Sequence, residues 1–156
     1  MEFEPINNRL DHVIGVWNNV TVVWGGKHRK RGNGRWIFCD PKTVYCHLDG
    51  IWMKKITKGE VPPPTTNLAA GIIGDDMYVA CGRTGLLDVS QTYDIKQTSD
   101  TIYKLDLNQW IWTKLEPEGT KPLKSHGMAS WVTGERLFLF GGVGDDKEEG
   151  EIYPTS

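Results

Sequence analysis

Short apolar runs alternate with tight polar turns along nearly the whole chain. The first, HVIGVW from His12, is followed by Asn18-Asn19 and then by TVVWGG. Asparagine tolerates positive φ, so the pair predicts a tight hairpin between two strands. Val22, Val23 and Trp24 form an unbroken apolar run, as a strand buried on both faces does, and Gly25-Gly26 ends it. The pattern then breaks at Lys27 to Arg35, KHRKRGNGR, which holds five basic residues and no acid. RWIFCD (35–40) is compatible with a strand or with part of an inserted loop. VYCHL (44–48) and IWMKKI (51–56), turning at Gly50, read as an antiparallel pair. Thr57 to Asn67 contains three consecutive prolines, which a central strand cannot hold, so it reads as a connector. LAAGII (68–73) and MYVACG (77–82) follow, then a long polar loop (83–100), then TIYKLDL (101–107) and WIWTKL (110–115) across Asn108-Gln109. A second connector leads to HGMASWV (126–132), a Gly134-Glu135 turn and RLFLFGG. The tail from Val143 is acidic, and Glu151-Ile152-Tyr153 reads as the start of another strand, the third of its group.

This order repeats. Trp112 to Gly142 falls on Trp52 to Gly82 after a gapless shift of 60 residues. Lys54/Lys114, Gly59/Gly119, Pro62/Pro122, Ala69/Ala129, Gly74/Gly134 and Gly82/Gly142 coincide, and Asp75/Glu135, Met77/Leu137 and Tyr78/Phe138 keep their character. A shorter echo runs from His12 to Gly26. A fixed period of this kind marks a repeat architecture. Four short strands per repeat, with long loops only between the second and third, make each repeat one propeller blade. The expected class is all-β: a partial propeller of two four-stranded antiparallel blades and part of a third. The boundaries are a lead-in at 1–9 and repeats at 10–57, 58–117 and 118–156, the last incomplete. The apolar runs that end in glycine are expected innermost, and the outermost strand carries the tryptophan. A propeller needs at least four blades to close. The chain is therefore expected to be a fragment of a longer protein, a truncated product, or a protomer completed by a partner chain.

Composition narrows the function. Eighteen basic and 20 acidic residues give a net charge of −2, which exerts no global pull toward nucleic acid or membrane. The start, MEFEPINNRLDH, has no signal-peptide pattern, and no apolar run approaches membrane-spanning length. Cys39, Cys46 and Cys81 are odd in number and not closely paired, so reduced, buried thiols and a cytoplasmic or nuclear protein are expected.

A double glycine after an apolar strand, then a tyrosine, then a tryptophan, resembles the kelch repeat. Here the pattern is Gly25-Gly26, Tyr45 and Trp52; then Cys81-Gly82, Tyr103 and Trp112; then Gly141-Gly142, with Tyr153 as the next tyrosine. Cys81 departs from the pattern by replacing a glycine. The Tyr103–Trp112 spacing is two residues longer than Tyr45–Trp52, as a longer turn at Asn108-Gln109 would make it. The phrases VWGG and IWMKKITKGEVPP look most like the kelch-domain-containing substrate receptors of cullin–RING ubiquitin ligases. That resemblance implies a non-catalytic protein-interaction module that recognises a peptide or protein for a ubiquitin ligase. The alternatives are a kelch-propeller enzyme or a structural remnant without activity of its own. Some kelch propellers are copper enzymes, but no paired Tyr/His ligand set is apparent, so no metal or other cofactor is expected.

Loops after an apolar strand open onto a propeller face, where ligands bind. The candidate peptide-binding residues are therefore Lys27, Arg29, Lys30, Arg31 and Arg83, with Arg35 in the same basic run. Such a cluster can pair with a carboxylate or an acidic peptide; the plainer reading is a solvated loop. His12 and His126 both stand at the start of a first strand, which suggests equivalent structural roles. The histidines show no metal-ligand spacing, and the acidic tail lacks the EF-hand pattern.

Overall fold

Asn18 and Asn19 both adopt positive φ, 47° and 64°, the backbone that a two-residue hairpin needs. The strands they join, Val13–Trp17 and Val20–Trp24, pair antiparallel from Val13 opposite Trp24 to Trp17 opposite Val20. Thr43–Leu48 and Ile51–Ile56 complete a four-stranded sheet in sequence order. The computed structural model describes residues 6–29, 32, 34–85, 95–145 and 152–154. Its second blade repeats the first: Ala69–Ile73, Asp76–Ala80, Ile102–Asp106 and Ile111–Leu115. Of the third blade, the described strands are Ala129–Thr133 and Arg136–Phe140. The architecture is a partial, all-β propeller.

Alternation along each strand sends one set of side chains to the next blade and the other set to the preceding one. Val13, Val22, Trp24, Val44 and Cys46 of the first blade pack on Met77, Val79, Leu105 and Trp112 of the second. The Trp24 and Trp112 rings lie 5.0 Å apart at 54°, and burying each is worth roughly 1.5–3 kcal/mol. Neither indole N–H is left unpaired: Trp24 Nε1 donates to the Pro41 carbonyl at 2.9 Å, and Trp112 Nε1 to Thr57 Oγ1 at 3.1 Å. Nearer the surface, Trp17 Nε1 donates to Asp75 Oδ1 at 2.8 Å and its ring meets Trp110 edge-on.

The close approach of blades identifies the inner strands. A Cβ on Gly15 would meet Ile72, and a Cβ on Gly71 would meet Val132 and Leu137. Ser130 Oγ donates to the Ala70 carbonyl at 3.0 Å and accepts from the Ala70 N–H at 3.2 Å. The innermost strands are therefore the first of each blade: Val13–Trp17, Ala69–Ile73 and Ala129–Thr133. The glycine-terminated runs lie second, contrary to the sequence expectation. Beyond the second joint, Tyr78, Ala80, Ile102 and Leu115 line a cleft of about 930 Å³ with Leu137 and Leu139 of the third blade. The two end faces stay apolar and open: Ile14 and Val16 at one end, Trp131, Phe138 and Phe140 at the other.

Three further readings change. Ile152–Pro154 pairs antiparallel with Val143–Asp145, with Tyr153 opposite Gly144. It is the return of a short ribbon, so Tyr153 does not occupy the place of Tyr45 and Tyr103 in a third blade strand. Trp110, at φ 60°, belongs to the turn before Ile111–Leu115. The proline-rich connector carries two short strands. Lys58–Gly59 runs parallel to Ile111–Trp112 on the outer edge of the second blade, and Thr65–Thr66 pairs with Arg83 and Thr84.

Candidate functional site

The segments after the second strands were expected to be loops. They are ribbons instead. Lys27–Arg29 pairs with Arg9–Leu10 on one side and Trp36–Phe38 on the other. Arg83–Gly85 pairs in the same way with Thr65–Thr66 and Ile95–Thr98. Val143–Asp145 is bridged to His126 and pairs with Ile152–Pro154. Each ribbon leaves its blade at the end of the second strand, and its outgoing strand runs beside the segment that leads into the innermost one. All three therefore rise from the same propeller face.

Glycine makes that exit possible. Gly25 and Gly26 have φ of 71° and 87°, and Gly141 and Gly142 have 73° and 93°. In the second blade Cys81 takes the first of these places at φ 61°, ahead of Gly82 at 91°, a strained conformation for a residue with a side chain. Backbone hydrogen bonds tie neighbouring ribbon bases together: Gly26 N–H to the Thr65 carbonyl at 2.8 Å, and Gly82 N–H to the Ser125 carbonyl at 2.8 Å. A second chain of bonds runs from Gly127 N–H to the Asn67 carbonyl at 2.9 Å, and from Asn67 N–H to the Asp11 carbonyl at 3.1 Å. Asp11, Asn67 and Gly127 share a left-handed backbone, φ 56°, 54° and 69°, and are equivalent residues of the three repeats.

The basic residues on this face differ in their commitments. Lys27 Nζ lies 2.7 Å from Asp11 Oδ2 and over the Trp36 ring at 5.4 Å. Arg29 covers the same ring at 5.0 Å. Arg83 is half-buried on the second ribbon, in the place of Lys27. Lys30 and Arg31 lie outside the described residues, while Arg35 is exposed at the ribbon's return. The geometry thus brings Lys27 and Arg29 together around Trp36 and sets Arg83 one blade away.

Sequence reasoning missed Arg9, assigned to the lead-in. It is buried, donates through Nη1 to the Gly25 carbonyl at 2.9 Å and lies 5.1 Å over Tyr45. Its partners are 16 and 36 residues away in sequence, so no local signal announces it. The two histidines expected to be equivalent are not. The Gly26 approach to His12 matches that of Gly82 to Leu68 and of Gly142 to Met128, whereas His126 takes the ribbon-bridge position of Leu10 and Thr66. Burial, with Arg9 nearby, holds His12 below the usual imidazole pKa, Asp11 opposing. The three cysteines are buried and outside any disulfide, and burial pushes the Cys46 and Cys81 thiols upward. No group of three or more His, Cys, Asp or Glu suited to a metal occurs among the described residues.

Tyr45 and Trp112 are buried, while Tyr103 is half-buried against the core. Trp52 faces the open end of the first blade, its ring 4.7 Å from that of His47 and tilted by 49°.

The domain family described as KLHDC2/KLHL20/DRC7 Kelch-repeats matches residues 11–154. The chain belongs to the kelch-repeat family. Kelch domain-containing protein 2 of Bos taurus is 30% identical over 140 residues, covering 88% of this chain and 30% of that protein. Kelch domain-containing protein 1 of Mus musculus is 27% identical over 141 residues, covering 87% and 32%. Dynein regulatory complex subunit 7 of Chlamydomonas reinhardtii is 30% identical over 141 residues, covering 86% and 11%. The chain thus spans about a third of the two kelch domain-containing relatives. Among solved structures, that of YjhT superposes with a TM-score of 0.65 at 15% identity, over 86% of this chain and 45% of YjhT. At that identity the likeness speaks for the kelch fold alone. No helix among the described residues is long and apolar enough to cross a membrane.

Proposed function

We propose that this kelch segment is a non-catalytic protein-interaction module whose ribbon face grips a peptide or protein, and that it serves substrate recognition for a ubiquitin ligase. The observation that carries the reading is the set of three ribbons on one face, anchored by glycine turns and backbone bonds to packed blades. Variable segments on a rigid base are how propellers present binding groups. Lys27, Arg29 and Arg83 supply positive charge there, and Trp36 supplies an aromatic surface. The ligase role rests on the resemblance of VWGG and IWMKKITKGEVPP to kelch-domain-containing substrate receptors. Three buried thiols outside any disulfide suit a reducing compartment and support a cytoplasmic or nuclear reading. Affinity capture with the parent chain and with R29E/K30E/R31E tests the face. Loss of specific partners from the variant, with its circular dichroism unchanged, is expected. An identical partner set with R29E/K30E/R31E and with R83E would refute the use of this face. Co-capture of a cullin–RING scaffold with the full-length protein tests the ligase role, and its absence would remove that part.

A further inference from the structure

The three repeats place different groups at one geometric position. In the first blade, Lys27 pairs in register with Leu10, and the next residue, Asp11, holds the lysine ammonium at 2.7 Å. In the second blade, Arg83 pairs with Thr66, and the next residue is Asn67. In the third, Val143 is bridged to His126, and the next residue is Gly127. Position for position, the face carries a neutralised cation, a cation with an amide in place of its acid, and an uncharged pair. The ion pairs among the described residues are Lys27–Asp11 and Lys121–Glu116; Arg83 enters neither.

We infer that Arg83, with Asn67, is the carboxylate-holding position of this face and that its ligand is an acidic side chain of a partner peptide. The proposal rests on the ribbon face being the binding face, and sharpens it. Lys27, the first basic residue of the conspicuous run, has its charge occupied by Asp11. Arg83 keeps a planar fork of N–H donors, which matches a carboxylate two bonds at a time. The Asn67 side chain adds an amide donor without adding a competing negative charge. The residue after Arg83 on the same ribbon face is Gly85, where the first ribbon carries Arg29, so backbone rather than a second long side chain borders the position. The arrangement suits an acidic residue arriving from solvent.

The repeat itself supplies the variants. N67D rebuilds beside Arg83 the acid that neutralises Lys27, and aspartate is at home in this backbone, since Asp11 adopts it at φ 56°. D11N does the reverse and releases Lys27. The probe is N-acetylated, C-amidated hexaglutamate, which offers side-chain carboxylates alone; binding to the full chain is read by fluorescence anisotropy and by backbone amide shifts. R83Q and N67D are each expected to weaken binding by roughly tenfold, the loss of one charge-assisted contact. K27Q should change it less than about twofold, because its charge is already met. D11N should strengthen it, and added salt should weaken it in the parent. K27Q as damaging as R83Q, or N67D without effect, overturns the Arg83 assignment while amide shifts on the ribbons leave the face reading standing. No binding by the parent, or shifts confined to other surfaces, overturns both. Tighter, Arg83-dependent binding of hexathymidylate would mean a phosphate site and overturns the acidic-peptide assignment. If N67D fails to fold, R83Q decides, because it replaces a half-exposed side chain without touching the turn.

Discussion

Replacing Gly71 with alanine should loosen the joint between the second and third blades. Gly71 is not in the left-handed region, so its backbone accepts alanine, and restricting the unfolded chain would by itself stabilise by about 0.4–1 kcal/mol. Space is the obstacle. The new Cβ would collide with Val132 Cγ2 and come within 2.8 Å of Leu137 Cδ1. Val132 is β-branched and stiff at χ1, and it sits on a strand whose neighbour Ser130 is bonded to Ala70. The overpacking cost is about 1–3 kcal/mol, so a net loss of roughly 1–2 kcal/mol is expected. Gly15 is the control. Its Cβ would meet Ile72 Cδ1 at 2.7 Å, the far end of a side chain that can turn away, so Gly15→Ala should stay within about 0.5 kcal/mol of the parent. Urea unfolding of both variants, followed by the tryptophan signal, gives the difference at unchanged m-value. Adding Val132→Ala should couple to Gly71→Ala by at least about 0.5 kcal/mol, since the second change removes the clash the first creates. Gly71→Ala as stable as the parent, or no coupling with Val132→Ala, would refute the assignment of these strands as the close-packed inner joint.

Other consequences can be measured on the same chain. Gly141→Ala should cost about 1–2 kcal/mol, the left-handed strain alone, because nothing lies within 4 Å of its Cβ position. Gly82→Ala adds contacts of 2.8 Å with Leu68 Cβ and the Thr66 carbonyl and should cost roughly 2–5 kcal/mol; equal losses by denaturant titration would contradict the ribbon-base geometry. His12 binds its proton less well folded than unfolded, so the unfolded chain takes up more protons as pH drops below the ordinary imidazole value of about 6.5. Stability should therefore fall as the medium is acidified through that window, and His12→Leu, which copies Leu68, should flatten the slope; an unchanged slope would count against a lowered His12 pKa. The apolar end faces predict self-association of the chain by light scattering at micromolar concentration. F138S/F140S should reduce it, and a monomeric parent would show that these faces are not sticky in solution.

The joints of the fold were readable because their signals are local. Asn18-Asn19, Gly74 and Gly134 announce hairpins, and the apolar runs between them are long enough to read as strands. The ribbons escaped for the opposite reason. Lys27–Arg29 and Trp36–Phe38 are three residues each, too short for an alternation, and the charges of KHR resemble a solvated loop. Likewise the Lys27–Asp11 pair spans 16 residues and follows from a register, Leu10 opposite Lys27, that no run of residues encodes. Comparing repeats by identity also hid the most informative positions, because it rewards sameness. Gly15 and Gly71 share the middle of the inner strand, where the next blade needs room for Ile72 and Val132. The same register places Trp131 there in the third blade, opposite Phe138 as Gly71 is opposite Tyr78. A stacked Trp131–Phe138 pair, 5.5 Å apart and 10° from parallel, fills the volume that Ile72 and Val132 take at the other two joints. The outward face of the third blade therefore cannot accept a copy of the joints that precede it. Where equivalent positions differ, at Asp11/Asn67/Gly127 and at Gly15/Gly71/Trp131, each blade has been given a different neighbour to meet.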